Sequence, residues 1–140
     1  MTSQSRSEII NALASQITTA DIGFSHVTSV MRNDEEISSD QYPALLISER
    51  PSTYPNSPTS LQFVNMELEL AVLTKNEGDT PETVARNLHD NLVDALNDDV
   101  TFGGTCRYFD FIGSESPFYW RQQEIFLMYM RILVQYRRDV

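Results

Sequence analysis

Hydrophobic and polar residues alternate along two long stretches of this chain and recur at helical spacing along two others. From Glu124 to Tyr136, EIFLMYMRILVQY, alternation puts Phe126, Met128, Met130, Ile132, Val134 and Tyr136 on one side of an extended strand. Ile125, Leu127, Tyr129, Arg131, Leu133 and Gln135 fall on the other. The first side is wholly apolar. The second is apolar at Ile125, Leu127, Tyr129 and Leu133, more than the solvated face of a small antiparallel sheet normally carries. At about 3.3 Å per residue the stretch would reach about 40 Å, well beyond a usual strand of about 5–6 residues. The second side therefore needs cover, either from layers of its own chain or from another subunit.

Leu61 to Thr74, LQFVNMELELAVLT, alternates as cleanly, with Val64, Met66, Leu68, Leu70 and Val72 opposite Asn65, Glu67 and Glu69. Shorter strands are expected at His26–Arg32, at Pro43–Glu49 and at Thr105–Ile112, the last broken by Gly113. Ser5 to Glu8 reads as a capping box opening a helix whose apolar arc holds Ile9, Ile10, Leu13, Ala14, Ile17 and Ala20, ended by Asp21 and Gly23. A second helix opens at Asp79-Thr80-Pro81-Glu82, with Asp79 as N-cap, and gathers Val84, Ala85, Leu88, Leu92, Ala95 and Leu96 on one arc. Asn33 to Glu36 reads as a polar turn and Ile37 to Tyr42 as loop, and the proline-rich stretch from Arg50 to Ser60 as a surface loop. Two one-sided helices and several alternating strands predict a single α+β domain over residues 1–140. It would be a two-layer sandwich, mostly antiparallel, with both amphipathic helices on one sheet face.

Charge changes the picture on the outside of that sandwich. The 140-residue chain carries a net charge of −10, which disfavours attraction to nucleic acid or to an anionic membrane. Glu67 and Glu69 share one strand face about 7 Å apart. Glu82, Arg86, Asp90, Asp94 and Asp98, each four apart, form a stripe on the outer side of the second helix, and its last three members sit increasingly near the negative helix end, where they repel one another and the helix dipole. Both groups read as solvated faces, or as surfaces past which an anionic polymer slides or a basic partner docks. No stretch approaches the length of a membrane-spanning helix, and the N-terminus lacks the pattern of a secretory signal. The lone Cys106 allows no internal disulfide and fits a reducing compartment.

Candidate chemistry is sparse. Cys106 would need a histidine base, and the chain offers only His26 and His89. These three residues show neither paired-histidine nor CxxC spacing, so no metal site is expected. No dinucleotide-binding, phosphate-loop or nucleophile-elbow motif occurs, and Gly103-Gly104 reads as a turn. The sequence gives an expectation of no enzyme, no cofactor and no metal. Phe118-Tyr119-Trp120-Arg121 concentrates residue types typical of binding hot spots, and reads equally as an apolar plug beneath the last hairpin.

The order helix, YPALLI (Tyr42–Ile47), long alternating strand, ARNLHDNLVDAL (Ala85–Leu96), strand, and long strand ending ILVQY (Ile132–Tyr136) resembles the tail terminator family of long-tailed bacteriophages from Ser5 to Tyr136. The resemblance rests on the order and length of the elements. It implies a virion protein, assembled in the host cytoplasm, that forms a ring, usually of six subunits. The ring would cap the tail tube, stop its polymerisation and join it to the head connector, while DNA passes through the lumen without specific binding. On this footing Leu127, Tyr129 and Leu133 would meet the neighbouring subunit. Tyr54, Phe118, Tyr119, Trp120 and Arg121 would contact tube or connector, and Glu67, Glu69, Asp90, Asp94 and Asp98 are candidates for an acidic lumen. Two alternatives remain: another neck component, such as a tail completion or head-tail joining protein, and a small-molecule-binding α+β module with a pocket between helices and sheet.

Overall fold

The computed structural model describes residues 5–28, 42–50, 61–75, 81–114, 118–120 and 125–139. Their order is α1 (Arg6–Ala20), β1 (His26–Thr28), β2 (Ala44–Glu49), β3 (Leu61–Lys75), α2 (Pro81–Asn97), β4 (Tyr108–Ser114), β5 (Phe118–Trp120) and β6 (Ile125–Asp139). The strands form one sheet in the order β1-β2-β3-β6-β4, with β5 also pairing β6. Only the β1–β2 pair is parallel among these. The fold is thus α+β, a mostly antiparallel sheet with both helices packed on one face.

Local chemistry sets the helix ends. The Ser5 hydroxyl accepts from the Glu8 amide at 3.3 Å, satisfying one orphan donor of the first turn of α1. Asp21 takes the left-handed conformation at the C-cap and returns its amide to the Thr18 carbonyl. Ile9, Leu13 and Ile17, four residues apart, are the positions α1 buries. On α2 the buried set is Ala85, Leu88, Leu92, Ala95 and Leu96. Val84 departs from expectation and is exposed, because it sits at the rim of the apolar arc.

The pairing of β3 with β6 runs in unbroken register from Leu61 opposite Asp139 to Lys75 opposite Ile125. Alternation then sorts both strands. Val64, Met66, Leu68, Leu70 and Val72 join Phe126, Met130, Ile132, Val134 and Tyr136 in the core beneath the helices. The residues between them form the outer face.

Three boundaries differ from the sequence reading. β4 begins at Tyr108, because residues 99–106 are held in a turn by Asp99. It runs past Gly113 to Ser114 through a bulge between Phe111 and Gly113. The stretch Phe118–Trp120, expected to be a connection, is a short strand antiparallel to the start of β6. The remainder of the strand expected to reach Arg32, the Asn33–Glu36 turn, the loop residues Ile37–Gln41 and the N-cap Asp79 lie outside the described residues.

Candidate functional site

The outer face of the sheet divides along β3 and β6 into three zones. At one end Ala44, Ala71, Leu73, Ile125 and Leu127 form a second buried cluster, with Tyr42, Leu46 and Tyr129 packed against it. Leu127 is therefore not left open for a neighbour: 4% of it is exposed within the single chain. Tyr129 and Leu133, the other two residues expected at the subunit contact, are only half-buried.

The middle zone is ionic. Glu67 faces the Arg131 guanidinium at 3.7 Å, and Glu69 faces Arg50 at 3.5 Å. Both carboxylates are thus compensated by arginine. Arg131 lies across β4, where a Cβ on Gly113 would come within 3.0 Å of its terminal nitrogen. The absent side chain of Gly113 makes room for the guanidinium. The Nε of Arg131 is buried, with no hydrogen-bond partner among the described residues.

At the far end Arg107 donates to the Gln135 side chain at 2.6 Å and stacks 4.3 Å above the Phe63 ring. Gln135 in turn donates to Asn65 at 3.1 Å. The edge strand β4 beside this zone exposes Tyr108, Phe111 and Ile112. Phe111 ends an aromatic row, packed edge-on against Phe109, which stacks on Phe102.

Sequence reading missed this set of cations. Arg131 is legible from strand parity, but Arg50 and Arg107 sit just outside strand ends and reach the face through the pairing of β2 with β3 and of β4 with β6.

The acidic stripe lies on the opposite side of the molecule. Asp90, Asp94 and Asp98 are exposed on the outer side of α2, with His89 3.7 Å from Asp90 and also in contact with the Ser114 hydroxyl at 3.2 Å. The two acidic groups, Glu67 with Glu69 and the α2 stripe, thus lie on opposite sides of the molecule. Of the tube or connector candidates, Phe118, Tyr119 and Trp120 have their backbone in β5, whereas Tyr54 and Arg121 lie outside the described residues.

The turn after α2 closes the helical layer. Gln16 of α1 donates to the carbonyls of Ala95 at 2.9 Å and Asp99 at 3.2 Å, partners that the last helical turn cannot supply. Asp99 accepts from the Thr101 amide and hydroxyl and from the Gly103 amide, all within 2.9 Å. The Thr101 hydroxyl bond, then the two amides, hold the Asp99 carboxyl below the usual carboxylate range. Gly103 and Gly104 take positive φ here, as does the buried Phe102.

Beside this turn a cleft of ≈ 480 Å³ opens onto Ser15, Gln16, Thr19, Asp98, Asp99 and Phe102. It lies between α1 and the end of α2 rather than between helices and sheet. Gln16 and Asp99, two of its polar residues, are already engaged in holding the turn.

Cys106 is buried, and burial followed by the nearby Asp99 charge pushes its thiol up to about 12. A nucleophilic cysteine needs the opposite shift. No group of three or more His, Cys, Asp or Glu side chains among the described residues is placed to hold a metal ion. No helix among them is long and apolar enough to cross a membrane.

Among solved structures, the fold matches a chain described as "Virion of native gene transfer agent (GTA) particle", with a TM-score of 0.52 and 12% sequence identity. The match covers 91% of this chain and 90% of that one. At this identity the likeness establishes a common fold. No family model and no curated protein matches the sequence.

Proposed function

We propose that this protein is a structural component of a phage-like virion, a ring-forming tail terminator that caps the tail tube and joins it to the head connector. The observation that carries the reading is the outer sheet face, where Tyr129 and Leu133 remain partly uncovered on either side of Arg131, on strands of 15 residues. A face of this kind is completed by another protein surface. The fold shared with a chain of a gene transfer agent virion supports a place in such a particle. The net charge of −10 suits a ring through which DNA passes without sticking. Of the five lumen candidates, Glu67 and Glu69 are compensated by arginine, which leaves the α2 stripe as the open acidic surface. In a ring that stripe has two places to go, the lumen or the joint between copies. The role is non-enzymatic, with assembly partners in place of substrate or cofactor.

Terminator function is tested by adding the purified protein to tail tube protein polymerising in vitro. Tubes that stop growing and carry a ring at one end support the reading. Tubes of unchanged length, with no ring bound, contradict it. If instead the protein binds a connector ring but not the tube, another neck component is the better assignment.

A further inference from the structure

The sheet ends at β4, which pairs with β6 along one side and with no strand along the other among the described residues. Native proteins guard such an edge with lysine, proline or a bulge, because its unmatched backbone donors and acceptors invite another strand. The seven residues Tyr108–Ser114 include neither lysine nor proline, and Tyr108, Phe111 and Ile112 are exposed. A bulge after Phe111 leaves Tyr108–Phe111 as the regular stretch. The one charge on β4 is Asp110, exposed and without an ion-pair partner among the described residues. We propose that β4 is a docking edge for an extended segment of a different protein, which adds as a further strand and sets a lysine or arginine opposite Asp110, with apolar residues on either side of it.

The backbone selects the shape of this occupant. A row of donors and acceptors at a sheet edge is matched by another extended strand, which neither a helix nor a duplex offers. A second copy of this chain fits poorly. Antiparallel pairing of β4 with β4, in the register that sets Phe109 against Phe111, also sets Asp110 against Asp110, and like charges directly opposite are destabilising. The opposite sheet edge, β1, offers three residues to the seven of β4. The unpaired carboxylate, on a chain of net charge −10, draws a basic segment instead. On the added strand the residue opposite Asp110 lies on the outer face, and its two neighbours turn to the inner face, where Phe111 extends the aromatic row of Phe102 and Phe109. The recognised pattern is therefore apolar, basic, apolar. The site belongs to the sheet edge and stands apart from the ring reading, which rests on the outer face.

The probe is a capped seven-residue peptide of alternating valine and threonine with one lysine at its centre, titrated into the purified protein while amide hydrogen exchange is followed residue by residue. At saturation, exchange across Tyr108–Phe111 should slow at least about tenfold. The same peptide with a central glutamate should bind at least about fivefold more weakly. Asp110→Lys should reverse that preference, and the reversal itself shows that the variant is folded. If Asp110→Lys does not fold, Asp110→Asn should at least halve the preference. Exchange that slows elsewhere and not on β4 overturns the proposal, as does equal binding of the two peptides by wild type. A preference unchanged in either variant overturns it too. Exchange across β4 that slows as the wild-type concentration rises, with no further change on adding peptide, gives the edge to a second copy and overturns the choice of a foreign strand. Each of these results leaves the capping of tail tubes untouched, so the two readings fail separately.

Discussion

The inner and outer faces of this sheet are built by the same residues' neighbours, one position apart on the same strands, and they are finished in different ways. On the inner face Val64, Met66, Leu68, Leu70, Ile132 and Val134 are fully buried beneath α1 and α2. On the outer face only one end is closed by a comparable cluster, around Leu73 and Leu127. The rest is a half-buried array of Glu67, Glu69, Arg131 and Leu133. The inner face makes the chain fold. The outer face carries surplus apolar and ionic surface that folding of one copy does not use.

Substitutions on the two faces should therefore separate stability from assembly. Ile132→Ala removes a fully buried side chain and should cost about 2–5 kcal/mol in denaturant unfolding, with self-association lost only through unfolding. Leu133→Ser, its neighbour on the outer face, should cost about 1 kcal/mol or less in the same experiment yet clearly weaken self-association. Equal destabilisation by both would show that the two faces are equivalent.

Gln16→Ala should cost about 1–3 kcal/mol, because it strips the side-chain donor from the Ala95 and Asp99 carbonyls at the end of α2. Hydrogen exchange at the last turn of α2 should rise with it.

The same turn gives a pH signature. The Cys106 thiol keeps its proton to about pH 12 in the folded chain and releases it near 9 when unfolded. Its contribution to stability is whole below about pH 9 and is lost as pH rises from there towards 12. Asp99 acts in the opposite direction: its lowered value gives stability that is present at neutral pH and lost as pH falls through the carboxylate range. Cys106→Ala should remove this thiol's share of the alkaline loss of stability. Thiol reagents should reach Cys106 only as fast as the protein opens.

The smallest effect is expected at the Arg50–Glu69 pair. Its arginine is 49% exposed, so Arg50→Ala should change the stability of the isolated chain by less than about 1 kcal/mol.

Much of this architecture was legible in the sequence because it follows from periodicity. Ser5 and Asp21 mark the ends of α1, and alternation along Leu61–Thr74 and Glu124–Tyr136 sorts the two faces of β3 and β6 correctly. What was not legible depends on contacts distant in sequence. Leu127 is buried because pairing brings Leu73 opposite it, with Ala44 next on β2. Arg50 and Arg107 become face residues only through strand pairing, and Glu67 with Glu69 are neutralised by partners 19 or more residues away. The turn at Asp99 delays the start of β4 because its hydrogen bonds override the strand-like pattern of Thr105 to Arg107. Gly113, next to the bulge after Phe111, leaves room for the Arg131 guanidinium, a contact between residues 18 positions apart that local pattern does not reveal.

The proposed completion of the outer sheet face by identical copies has a direct test. Sedimentation equilibrium of the purified wild-type chain over a wide concentration range measures this directly. A reversible step from monomer to one closed assembly of fixed size, weakened by raised salt, is expected. A single ideal monomer at every concentration, in low salt and high, would contradict it.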